Sequence, residues 1–153
     1  MIKLLLALVL STATYAATTG TLSLSGTVAQ ELSITVTAEG AAASLDLSAT
    51  QTDLKVATVN EKSNSNTGYT ISAKSTNGSL LKNGALDQLA YTITYDGGSA
   101  VTLTTTDQVV KTVSTAGLHD NDSDVDITYT GKPAAQMIVG TYTDTITFTI
   151  AAI

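Results

Sequence analysis

Few residues of this chain have side chains suited to catalysis. The only histidine is His119, followed directly by Asp120, and the 153 residues include no cysteine and no tryptophan. A Ser-His-Asp arrangement is recognised by geometry, and serine is so abundant here that its presence carries no information. No nucleophile elbow, phosphate loop or zinc-ligand spacing occurs. The sequence therefore predicts no catalysis and no cofactor, with His119 as a solvated loop residue.

Carboxylates are the other candidates. Asp120, Asp122 and Asp124 alternate within Asp120-Asn-Asp-Ser-Asp-Val-Asp126 and resemble the opening of a calcium loop. However, Val125 stands where such a loop needs glycine, and Gly131 where it needs a bidentate glutamate. The three aspartates remain candidates only for a looser calcium site. The expected form of 116–124 is a polar loop kept extended by like charges. Threonine pairs such as Thr35-Val-Thr37 and Thr92-Ile-Thr94 raise the idea of an ice-matching face, but their spacing is irregular. Threonine is simply a favoured outward residue of strands.

Composition narrows the function classes. The chain is 43% hydrophobic and 13% charged, has one proline and no arginine, and carries net charge −6. That suffices for one domain with a core. An acidic chain without a basic patch excludes nucleic acid as the expected partner.

The elements come next. Lys3, the apolar Leu4–Leu10 and the small-x-small Thr14-Tyr-Ala16 predict a secretory signal over residues 1–16, too short to span a bilayer. No later run is long enough to cross, so an exported mature chain is expected. Thr21–Val28 then alternates, with Leu22, Leu24, Gly26 and Val28 on one parity. This makes 17–30 a separable strand-like extension ahead of a body at 31–153. Extended at about 3.3 Å per residue, it would reach more than ~40 Å. A glycine inside a strand marks a close backbone approach or a bulge.

Within the body, Leu32, Ile34 and Val36 alternate, and Ala38–Ala43 reads as a small-residue turn. Leu45 with Leu47, Leu54 with Val56, and Tyr69 with Ile71 and Ala73 follow as short strands. Asn60–Gly68 reads as a polar loop, Asn77-Gly78 as a hairpin turn, and Leu80–Leu89 as an irregular connection. Further strands are expected at Tyr91–Tyr95, Val101–Leu103, Val109–Val113 and Val125–Tyr129. The last, Gly140–Ile150, puts five threonines on one face and Tyr142, Asp144, Ile146, Phe148 and Ile150 on the other. Seven to nine short strands without a βαβ rhythm predict an antiparallel β-sandwich.

An uncovered apolar edge invites a strand from another chain. The segments Leu22-Ser-Leu-Ser-Gly-Thr-Val28, Leu89-Ala-Tyr-Thr-Ile-Thr-Tyr-Asp96 and Gly140–Ile150 together resemble the pilin subunits of chaperone–usher fimbriae and their spore-coat U-like relatives. The resemblance implies an all-β, immunoglobulin-like antiparallel sandwich lacking one strand. A periplasmic chaperone, and then the extension of the next subunit, would complete it at an outer-membrane usher. On that basis Leu22, Leu24, Gly26 and Val28 form the donor strand, and Leu32, Ile34, Val36, Ile146, Phe148 and Ile150 line the acceptor groove. The expected partners are other copies of the same chain in a surface fibre serving adhesion or biofilm formation. Many members carry a cysteine pair, which this chain lacks. The alternative is a monomeric adhesin or extracellular binding module whose own Thr21–Val28 strand folds back onto the body.

Overall fold

The computed structural model describes residues 15–153. The expected signal segment therefore lies outside the described residues, except for its exposed last two. Nine strands make up almost all of the regular structure: β1 (Leu32–Ala38), β2 (Gln51–Ser63), β3 (Tyr69–Ser75), β4 (Leu80–Asn83), β5 (Asp87–Ala90), β6 (Thr92–Tyr95), β7 (Gln108–Val113), β8 (His119–Tyr129) and β9 (Ile146–Ala152). One sheet has the order β1-β2-β8-β6, the facing sheet is β7-β3-β9, and β4-β5 form a separate hairpin. Every strand pair is antiparallel. The protein is an all-β antiparallel sandwich, as the strand count and turn spacing predict.

The core follows from period-2 alternation. In β3, Tyr69, Ile71, Ala73 and Ser75 are buried while the residues between them are partly open. In β8, Ser123, Val125, Ile127 and Tyr129 are buried. Val59, Ile93 and Leu103 complete the interior between the two sheets. Gly68 has φ +103, and a Cβ there would run into the Val113 carbonyl, so only glycine lets β3 start against the end of β7.

Several expectations need correction. The run at 119–124 is the first half of β8, not a loop, because its register with β2 supplies every residue with a backbone partner. Asn60–Ser63 likewise belongs to β2, and the loop shrinks to Asn64–Gly68. Asn77-Gly78 is a turn, but β3 and β4 do not pair across it. The hairpin forms instead at Asn83-Gly84, with Gly84 at φ +56, and joins β4 to β5. Leu81 and Leu89 of that hairpin drop into the core. Leu45 and Leu47 pack against the core from a loop, without strand structure. β9 begins only at Ile146, although the expected parity holds from Thr141 onward. The Asp144 carboxylate gathers Ser75 Oγ, Asn77 N at 3.0 Å, Tyr91 OH at 2.7 Å and Thr145 N at 2.7 Å, fastening this stretch beside the turn after β3. Finally, Thr21–Val28 is not a strand here. It has no partner ladder, and a lone extended segment has nothing to pair with.

Candidate functional site: an open apolar groove

The two sheets are not joined along one side. β1 is hydrogen-bonded only to β2, and β9 only to β3; the two strands lie close together without pairing, so each presents a free edge. Between these edges lies a groove enclosing about 300 Å³. Its walls are Val36 and Ala38 on β1 and Ile146 and Phe148 on β9. Its floor includes Ala57, Leu81, Val125 and Ile127, with Leu45 nearby. Tyr91 and Asp144 are polar members of the lining, and burial followed by the Asp144 hydrogen bond raises the Tyr91 hydroxyl above its ordinary pKa. The lining is thus almost wholly apolar, and Val36 remains 48% exposed although its side chain belongs to the core parity. Open apolar surface between two unsatisfied strand edges suits an added strand: the backbone finds a ladder and alternate side chains find the floor.

Of the six expected groove residues, Val36, Ile146 and Phe148 line this cavity. Leu32, Ile34 and Ile150 pack against the core further along the same two strands, beyond the cavity itself. Phe148 leans on Tyr95 with ring centroids 5.7 Å apart, leaving its other side to the groove. Sequence reasoning missed the floor: Ala57, Leu81 and Val125 come from three separate elements. Alternation marked Val125 as a core residue, and it is buried, but alternation could not show that a cavity lies beside it.

The two ends of the sandwich differ. At the extension pole, Asn64 holds the chain that enters β1. Its Nδ2 donates to the Ala29 carbonyl at 2.9 Å, and its Oδ1 accepts from Glu31 N at 2.7 Å. Its own backbone N–H bonds the Glu31 carbonyl, carrying the β1–β2 ladder one residue beyond Leu32 and Ser63. Residues 29–31 therefore continue the line of β1 off the end of the body. Beyond them, Leu22, Leu24 and Val28 are 83%, 87% and 91% exposed, and a Cβ on Gly26 would meet nothing within 4 Å. The 115–118 loop and Ile153 share this pole, through Gly117 N to Ser65 O and Thr67 Oγ1 to Ile153 O. At the opposite, hairpin pole, Asn83 bonds the carbonyls of Ile138 and Val139, and Tyr142 OH bonds Asp87. That bond, with the amides of Ile138 and Gln88, holds the Asp87 carboxyl below its usual range.

The other candidates resolve as structure. Asp120, Asp122 and Asp124 line the outer face of β8, opposite the core. Asn60 Nδ2 bridges Asp120 and Asp122 at 2.9 and 2.8 Å, Lys62 pairs with Asp120, and Lys55 with Asp124 at 2.7 Å. The Asn60 amide and Lys62 hold the Asp120 carboxyl below its usual range. Amide and ammonium groups thus satisfy these carboxylates, and no cluster of metal ligands occurs among the described residues. His119 is half-buried at the start of β8, edge-on to Tyr69, with a ring nitrogen 3.1 Å from the Thr115 carbonyl. It is not a solvated loop residue, because it occupies an inward position of the strand.

A charged group inside the extension pole has no counterpart in the sequence reading. Glu61 is fully buried and accepts hydrogen bonds from Tyr69 OH at 2.7 Å, Tyr95 OH and Ser123 Oγ at 2.9 Å. Lys111, reaching across from β7, lies 3.1 Å from Glu61 and 2.9 Å from Asp96. Burial opposes the charge on Lys111, but its bonds to Asp96 and Glu61 prevail and raise its pKa. The cluster joins both sheets.

Compared with family models and with curated proteins, the sequence matches none. Among the described residues, no helix is long and apolar enough to cross a membrane.

Proposed function

We propose that this protein is a structural subunit of an exported surface fibre, in which the 17–30 extension of one copy completes the sandwich of another. The observation that carries this reading is the pairing of an apolar groove, flanked by two unpaired strand edges, with a strand-patterned extension whose Leu22, Leu24 and Val28 side chains stand exposed. Three large side chains, Leu22, Leu24 and Val28, stand ready for burial. At about 1.5–3 kcal/mol each they supply roughly 5–9 kcal/mol. That is comparable with the roughly 4–15 kcal/mol lost on association, so the backbone ladder on β1 and β9 decides the affinity. Gly26 leaves room for the donor backbone to lie close over the floor.

The Asn64 contacts favour exchange over the monomeric alternative. For Thr21–Val28 to enter its own groove, the chain must reverse within 29–31, where Asn64 holds it in line with β1. No catalytic step belongs to this reading, and a chaperone and usher would serve it by the resemblance given above. Size-exclusion chromatography of the exported protein with and without residues 17–30 tests it. Polymers are expected only with the extension, and an unchanged monomer in both cases would refute the reading.

A further inference from the structure

We infer that the hairpin pole, through the exposed Leu86, Ile138 and Val139, is a docking surface for the extension pole of a second copy of this chain. The inference rests on the strand-exchange reading and adds a body-to-body contact to it. It starts from direction. β1 runs from the extension pole to the hairpin pole, and β9 runs back, as the contact of Thr67 with Ile153 and the register of β9 on β3 require. A donor strand between them runs one way or the other. If it ran parallel to β9, it would leave the acceptor at the extension pole and lead straight into the donor's own extension pole. Every subunit would then have to seat two neighbours at that one pole, where its own extension also departs. Run antiparallel to β9, the donor leaves at the hairpin pole and continues into β1 of its own body in the same direction. Each subunit then uses each pole once, and the chain of copies propagates without collision.

The tether then fixes proximity. Only Ala29, Gln30 and Glu31 separate the last donor residue, Val28, from the start of β1, a span of about 10 Å at full extension. The donor's Asn64 keeps those residues straight, so its body must abut the acceptor where the groove opens. The Asp144 end of the groove adjoins the loop that holds Ile138 and Val139, itself tied to the β4–β5 hairpin through Asn83. Leu86, Ile138 and Val139 are exposed together there, Val139 at 96%. On the arriving pole, Leu118 is the exposed apolar counterpart. An apolar group at each of two surfaces that the tether forces together gives the contact a driving force.

The chain has no cysteine, so single engineered thiols report the surface directly. Val139→Cys, Leu86→Cys, Val36→Cys as a groove probe and Val109→Cys as an outer-sheet control are each placed in the full exported protein. Their rates of maleimide labelling are compared between polymer and the monomer lacking residues 17–28, which removes no contact of the body. The expected result is labelling slowed several-fold at 139, 86 and 36 in the polymer, and unchanged at 109. Slowing at 36 with unchanged rates at 139 and 86 would overturn the docking surface and leave strand exchange standing. Unchanged rates at 36 would overturn both.

Discussion

At the scale of single residues, the most consequential group is one that lies outside the groove. Glu61 sits at zero exposure with three hydroxyl donors and the Lys111 ammonium around it. Removing one partner of a buried ion pair leaves an uncompensated charge, at a cost of about 3–5 kcal/mol. Lys111→Met should therefore lower unfolding stability by roughly that amount, and Glu61→Gln with Lys111→Met should recover much of it. Urea denaturation of the two variants measures both effects. The same cluster fixes a pH response. Burial, then hydrogen bonding to Glu61, raises the Tyr95 and Tyr69 hydroxyls above their ordinary pKa. Tyr91 and Lys111 move the same way. A group with a raised folded pKa contributes fully below its unfolded value, about 10 for tyrosine, and loses that contribution as pH climbs toward the folded value. The melting temperature should hold between pH 7 and 9 and fall steeply above about pH 10. A flat profile through pH 11 would contradict the buried network. Gly26 belongs at this scale too. Its Cβ position is open in the free chain, so Gly26→Leu should leave the monomer's melting temperature unchanged. In the polymer the added side chain would stand between donor backbone and groove floor, and assembly should be lost on size-exclusion.

At the scale of elements, the sandwich was legible wherever the inward residues were apolar. Tyr69-Thr-Ile-Ser-Ala and Val125-Asp-Ile-Thr-Tyr show their faces directly in the sequence, and both are strands. β8 nevertheless begins six residues earlier than apolar alternation suggests, because its inward positions there are His119, Asn121 and Ser123. Polar side chains at these positions carry the right period without the hydrophobic signal that reveals it. Glu61 was hidden for the same reason, inside a run whose composition reads as loop. The hairpin at Asn83-Gly84 had its turn signal in plain view but lay in a stretch with little alternation. The groove walls Val36, Ile146 and Phe148 could be read from parity on two strands. The floor could not, since it depends on how residues of separate elements pack together. Asn64 is the element-scale device that the sequence did not announce. Asn64→Ala should free residues 29–31 to turn back, raising the monomeric fraction relative to polymer at equal protein concentration. Light scattering behind size-exclusion measures that ratio, and an unchanged fraction would remove Asn64 from the account.

At the scale of the whole molecule, the account has one premise: a body that is folded yet incomplete along one side, and a ribbon that is complete only in another body. The surface acidity fits such an assembly, since carboxylates on the outer face of β8 are tied to Asn60, Lys55 and Lys62 and stay clear of the groove. In the proposed polymer, polarity would follow from the strand directions, and straightness from the ladder that Asn64 extends. A density map of the assembled polymer tests the premise most directly. The account predicts residues 22–28 of a neighbouring copy lying between β1 and β9, antiparallel to β9, with their even-numbered side chains over Phe148 and Val125. A groove that is empty in the polymer, or filled by the subunit's own extension, would contradict it.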